Sequence, residues 1–300
     1  MTGAYWGADS RQRDNDEARH FLLGLSRGAA GAMLFGIPML MTMELWDLGF
    51  YIERGRLLLL MIVNIPLLVV LAHLIGFERT TTWRQAVRDA IIAYGLGILI
   101  SAAVLIMLGT IEAHMPASAI LGKVAIQAVP ASIGAMLGRS QLGGQAAGGG
   151  NEDGKQDEES VEDAVPDAIS THYSQELFLM AVGALFLNLN VAPTEEVILI
   201  SYKMTQWHAL AAMLVSIAIM HAFVYAVAFK GTHEIPGETP RWHVFVRFTL
   251  PGYMIAMLIS LYVLWTFGRL DDVAPNQILM SAIVLSFPGA IGAASARLVL

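Results

Sequence analysis

Long apolar stretches separated by short polar ones dominate this chain. A helix needs about 20 mostly apolar residues to cross a bilayer core. Eight stretches meet that length, at residues 21–44, 57–76, 89–111, 117–138, 174–192, 205–229, 245–268 and 275–298. None shows the alternating polarity of a membrane-spanning strand. The pattern predicts an all-α polytopic membrane protein with eight transmembrane helices. The first twenty residues are polar, and no small-residue cleavage site closes the apolar stretch that follows. That stretch is therefore expected to be a first span, not a removed signal peptide.

The apolar pattern also repeats. Residues 83–109 align with 242–268 without a gap, and ten of the 27 positions are identical. Among them are Trp83/Trp242, Arg88/Arg247, Tyr94/Tyr253, Ser101/Ser260 and Gly109/Gly268. One residue of slip later, Pro130, Ile133, Gly134, Ala135 and Arg139 match Pro288, Ile291, Gly292, Ala293 and Arg297. Shared membrane composition does not readily place Trp, Arg, Tyr and Pro in one register. The expected domains are a tail (1–20), a first four-helix repeat (21–139), a linker (140–172) and a second four-helix repeat (173–300). Both repeats start from the same side, so they are expected to be parallel, related by an axis along the membrane normal.

Charge changes this picture in two ways. Residues 143–172 hold eight acids and one base, which accounts for the whole formal charge of −7. With its glycines, this segment is expected to be a disordered cytoplasmic linker that cannot bury a core. The basic residues then orient the chain. With the N-terminus inside, thirteen of the 18 lie on the cytoplasmic side; Arg54, Arg56, Lys123, Lys203 and Arg269 lie outside. Both termini are thus expected in the cytoplasm.

Composition agrees with the pattern. Hydrophobic residues make up 56% and charged ones 14% of the chain, against about 25% charged in soluble domains. Its surface must therefore meet lipid. There is no cysteine, which excludes disulfides, thiolate metal sites and cysteine nucleophiles. No nucleophile elbow, zinc helix, phosphate loop or dinucleotide fingerprint occurs, so no enzyme activity and no cofactor are expected. No basic patch suggests nucleic acid.

Candidate chemistry sits where the first helix of each half ends. Pro38 precedes Glu44, and Pro193 precedes Glu195 and Glu196. One register pairs Glu44 with Glu195; a shift of one pairs Thr42 with Thr194 and Glu44 with Glu196. Proline frees a backbone carbonyl, and a carboxylate beside free carbonyls suits a proton or a hard cation. Two such carboxylates brought together would repel and favour a bound cation. The plainer reading makes them interfacial charges paired with Arg54, Arg56 or Lys203. Asn188 and Asn190, two residues apart in the fifth span, point in different directions and serve either packing or a pathway. Asn64 in the second span has the same two readings. His221, inside the sixth span, and His73, near the end of the second, read as packing residues or proton relays. The pairs Trp83/Arg88 and Trp242/Arg247 read as interfacial anchors.

The segments Gly36-Ile37-Pro38, Thr42-Met43-Glu44-Leu45-Trp46 and Ala192-Pro193-Thr194-Glu195-Glu196 resemble those of a bacterial family of integral membrane proteins of unknown function. The likeness covers nearly the whole chain apart from the tail and the linker. It implies a multi-pass protein of the bacterial inner membrane, and it brings no substrate or catalytic residue. The Ala-Pro-Thr-Glu-Glu stretch is also faintly similar to the acidic repeats of cation/calcium exchangers, which differ in helix count and have inverted repeats.

The leading expectation is a channel or transporter for a small cation. Glu44, Glu195 and Glu196 would form its acidic site, and Asn188, Asn190 and His221 would line the route. A half this short calls for a second copy of the chain if a pore is to be enclosed. The alternative is a non-transporting membrane scaffold or sensor that uses the acidic linker to hold a partner.

Overall fold

The structure, a computed structural model, describes residues 19, 22–34, 36, 38–39, 42–75, 82–112, 114–147, 165–228 and 245–299. Every regular element among them is helical. In chain order these are α1 (Leu22–Leu34), α2 (Met43–Tyr51), α3 (Arg54–Ile75), α4 (Trp83–Met107), α5 (Ala117–Ala147), α6 (Val165–Val191), α7 (Glu195–Lys203) and α8 (Gln206–Ala228). A π-helical turn, Phe245–Thr249, then leads into α9 (Leu250–Thr266), and α10 (Pro275–Val299) follows.

Seven helices are long and apolar enough to cross a membrane, at α3, α4, α5, α6, α8, the turn with α9, and α10. They fall on seven of the eight expected stretches. The first stretch, 21–44, behaves differently. Its described apolar helix is Leu22–Leu34, and the backbone is extended at Thr42 (φ −87°, ψ 121°) before α2 begins. Glu44 therefore opens a short helix; it does not close the first span. Near the linker, α5 runs on to Ala147 and α6 starts at Val165. Residues 148–164, which carry most of the linker's acids, lie outside the described residues, as does the tail up to residue 18.

The chain divides into two compact units. The first comprises Met1–Met41, Asn64–Ala113 and Gln127–Asn151. The second comprises Thr42–Val63, His114–Ile126 and Glu152–Leu300.

In the first unit, α1 and α5 touch backbone to backbone. A Cβ on Gly31 would lie 2.5 Å from the Gly134 carbonyl oxygen and 2.6 Å from the Gly138 Cα. Helix α4 meets α5 in the same way, since a Cβ on Gly97 would lie 2.8 Å from the Ser132 nitrogen. Small residues permit this closeness, which is how helices pack in lipid, where no hydrophobic force drives them together. Asn64 Nδ2 donates to Ser132 Oγ at 2.9 Å and ties α3 to α5.

In the second unit, α10 packs against α6, α7, α8 and α9. Met180, Ala184, Met220, Tyr253, Ala256, Ala290, Ala293 and Ala294 form its core. A Cβ on Gly183 of α6 would collide with the Gly292 carbonyl oxygen and lie 2.7 Å from the Ala296 Cβ on α10. Helix α2 lies on the start of α5, where a Cβ on Gly49 would lie 2.7 Å from the Lys123 nitrogen. Helix α7 is held on α10 through one hydroxyl: Gln277 Nε2 donates to Ser201 Oγ at 2.7 Å, and Ser281 Oγ donates to it at 3.0 Å.

The turn Phe245–Thr249 has a local cause. Pro251 has no N–H, so the carbonyl of Arg247 loses its helical donor. The Tyr173 hydroxyl takes that place, donating to the Arg247 carbonyl at 2.8 Å. Leu58, Ile62, Leu99, Ile106, Leu121 and Leu214 are exposed on the long helices, as lipid-facing positions require.

Candidate functional site

Each expected acidic residue sits at the start of a nine-residue helix. In α2 the extended Thr42 is the N-cap and Glu44 is the second helical residue. In α7 the extended Thr194 is the N-cap, and Glu195 and Glu196 are the first two. Both helices close alike: the Ile52 N–H returns to Leu48, and the Met204 N–H returns to Ile200. The frame that superposes the two helices is the one pairing Glu44 with Glu196. Glu44 is half-buried and Glu195 and Glu196 are exposed. None of the three takes part in an ion pair among the described residues. Acids in a first turn are favoured by the helix dipole, which also explains their position.

Of the cations proposed as their partners, Arg56 and Arg54 are engaged elsewhere, and Lys203 closes α7 at the opposite end from Glu195 and Glu196. Arg56 Nη1 and Nη2 grip the Asp271 carboxylate at 2.9 and 2.8 Å. Its Nε lies 2.8 Å from Glu53 Oε2, and Nη1 also donates to the Trp265 carbonyl at 2.8 Å. Arg54 donates to the Ser118 carbonyl at 3.1 Å. Arg269 donates to the carbonyl of the buried Pro193. Pro38 is exposed.

The expected polar residues of the spans divide as follows. Asn188 is fully buried, and its Nδ2 donates to Ser260 Oγ at 2.9 Å, across from α6 to α9. Its Oδ1 has no partner and rests against Gly289, where a Cβ would lie 2.7 Å away. Asn190 turns back onto its own helix, donating to the Phe186 carbonyl at 2.9 Å. His221 Nδ1 shares a 2.9 Å hydrogen bond with Thr249 Oγ1, and its ring meets the Phe245 ring edge to face. Asn188 and His221 thus act as helix-to-helix ties in the second unit.

Sequence reading missed one group. Asp89 is 2% exposed, on the buried face of α4. Arg88 Nε lies 3.5 Å from its Oδ1, an atom with no hydrogen-bond partner. Five more buried atoms of the first unit lack hydrogen-bond partners: Asn64 Oδ1, His73 Nδ1, Tyr94 OH, Ser101 Oγ and Gln127 Oε1. The available signal was a carboxylate inside an apolar stretch. It was passed over because Asp89 is the first residue of the expected stretch and has Arg84 and Arg88 just before it.

Among the described residues, no three His, Asp or Glu side chains come together to hold a metal ion. The family described as "Putative integral membrane protein (DUF2391)" matches residues 24–300. No curated protein and no solved structure matches the chain.

Proposed function

The chain belongs to this DUF2391 family of integral membrane proteins, and we propose that it is a channel or transporter for a small cation. One observation carries the reading: two nine-residue helices, each with an extended threonine at its N-cap, present carboxylates that have no cationic partner among the described residues at their first turns. Unneutralised carboxylates at the mouth of a helical membrane protein concentrate cations there. Glu44, Glu195 and Glu196 are the residues we assign to that attraction.

The same reading takes the chain as eight spans in two parallel four-helix halves, with both termini in the cytoplasm of a bacterial inner membrane. Recurrent local geometry supports the halves. The Gly31–Gly134 contact has its counterpart in Gly183–Gly292, and Gly49 on Lys123 has its counterpart in Ser201 on Ser281. Gly109 and Gly268 both have φ of 70° and both end a span. Around them, Thr110 N–H returns to Leu105 and Arg269 N–H returns to Leu264. Each pair keeps the register of the sequence alignment.

The test is flux of protons, Na⁺, K⁺ and Ca²⁺ into proteoliposomes. Wild-type protein is expected to carry at least one of them. The triple substitution Glu44→Gln, Glu195→Gln, Glu196→Gln is expected to lower that flux about tenfold at low ionic strength. Equal flux in the variant would remove these acids from the mechanism, and no flux of any cation in wild type would end the reading.

A further inference from the structure

The buried face of α4 differs from its counterpart in the second half in one respect. In α9, Tyr253 shares a 3.1 Å hydrogen bond with Ser286, and Ser260 accepts from Asn188. In α4, the aligned Tyr94 and Ser101 have no hydrogen-bond partner for their hydroxyls. The sequence explains this. Ala128 stands where Ser286 stands, and Gly36 stands where Asn188 stands. At these two aligned positions the second half has closed its hydroxyls onto neighbours, and the first half keeps them buried and open.

These groups form a line. Asp89, Ala93, Gly97 and Ser101 follow at four-residue spacing on the buried side of α4, and Tyr94 adjoins them. Gly97 presses on Ser132 and Ala128 of α5. Ser132 carries Asn64, whose Oδ1 is free, and Ala128 is next to the fully buried Gln127, whose Oε1 is free. Side chains on a helix lean toward its N-terminus, so the Tyr94 hydroxyl is carried toward Asp89. His73 of α3 stacks on Trp83 at the Asp89 end, with ring centroids 4.5 Å apart, and its Nδ1 also lacks a partner.

Length decides what such a line can hold. Asp89 and Ser101 are about 18 Å apart at 1.5 Å per residue. A single metal ion touches oxygens at about 2.3–2.6 Å and cannot be shared by groups so far apart. None of these atoms has a hydrogen-bond partner in the protein, so they do not bond one another directly. Water bridges such atoms when two or more of them face it. A buried carboxylate joined to bridging water is how membrane proteins accept and pass protons.

We infer that the first unit carries a proton route along α4, with Asp89 as the proton acceptor. Tyr94, Ser101, Asn64 and Gln127 hold the relaying water molecules. In the loading step a hydronium ion at the Asp89 end breaks one O–H bond, a new O–H bond forms on the carboxylate, and a water molecule is left. The reverse step releases the proton to the next water, and no electron is transferred. Among the described residues, the other ionisable groups of α3 and α4 at this end are Arg88, Arg84 and His73. The inference rests on the cation-transport reading and names protons as the cargo.

The experiment uses the full chain in proteoliposomes, with a pH-sensitive dye inside and parallel assays for Na⁺, K⁺ and Ca²⁺. Asp89→Asn is expected to slow proton entry about a hundredfold and Asp89→Glu by about tenfold or less, as for loss and displacement of a proton-transfer group. Arg88→Gln, which removes the neighbour and keeps the carboxylate, is expected to leave entry near wild type. Tyr94→Phe and Ser101→Ala remove one oxygen each and are expected to slow entry severalfold, which keeps the test open if Asp89→Asn does not fold. The infrared carboxylic-acid signal that appears on acidification should lose one component in Asp89→Asn, seen in the difference spectrum against wild type. Proton entry unaffected by Asp89→Asn, or by both oxygen deletions, would overturn the inference. Wild type that carries a metal cation and no protons would overturn it too and leave the broader reading standing; wild type that carries no cation would end both.

Discussion

Arg56 holds Asp271 with two parallel N–H···O contacts across 215 residues of sequence. The guanidinium also stacks on the Trp265 ring, 4.9 Å from its centroid. The start of α3 is thereby fastened to the turn between α9 and α10. A planar guanidinium fits this double contact, and a lysine ammonium does not.

The first prediction follows from that fork. Arg56→Lys and Asp271→Asn should each lower the unfolding temperature in detergent. The double variant should fall less than the sum of the two, because the interaction can be lost only once. Strict additivity across the cycle would show that the two residues do not act as a pair.

Gly183 and Gly31 carry the second prediction. Neither can accept a Cβ without backbone movement. Gly183→Ala and Gly31→Ala should each destabilise the protein by about 1–3 kcal/mol, the usual range for overpacking. Gly95, where an added Cβ meets nothing within 4 Å, is the control, and Gly95→Ala should be neutral or slightly stabilising. Thermal unfolding by circular dichroism measures all three, and equal effects would refute the contact argument.

A third concerns Asn188. Its bond to Ser260 is a helix-to-helix tie inside the membrane, worth about 0.6–2 kcal/mol. Asn188→Ala should cost about that much and also release Ser260. Ser260→Ala should cost at least as much, because it strands the buried Asn188 Nδ2, whereas in Asn188→Ala Ser260 keeps its bond to the Ala256 carbonyl at 2.7 Å. The order of the two unfolding temperatures checks the claim.

What the sequence makes legible is what local pattern determines. Seven spans were readable because each is a continuous apolar run whose length matches a bilayer. The nine-residue helices were not, since their apolar residues merge with the neighbouring runs; the break lies in the backbone angles at Thr42 and Thr194. Asn188 was singled out correctly as a buried polar residue, but its partner is 72 positions away and composition cannot name it. The arginine fork was hidden for the same reason: Arg56 reads as a flanking charge until the turn carrying Asp271 is in place. Asp89 was hidden differently, because the adjacent arginines make it look like part of a wet helix end.

The π-helical turn distinguishes two segments that the sequence aligns. A π-helical turn is wider than an α-helical one and re-aims the side chains it carries. The turn Phe245–Thr249 carries Phe248, the aligned counterpart of Asp89, and Phe248 meets Tyr173 with ring centroids 5.6 Å apart. The two aligned segments therefore differ here in helix type as well as in side chain. One segment closes its first turns with aromatic rings, and the other buries an acid there.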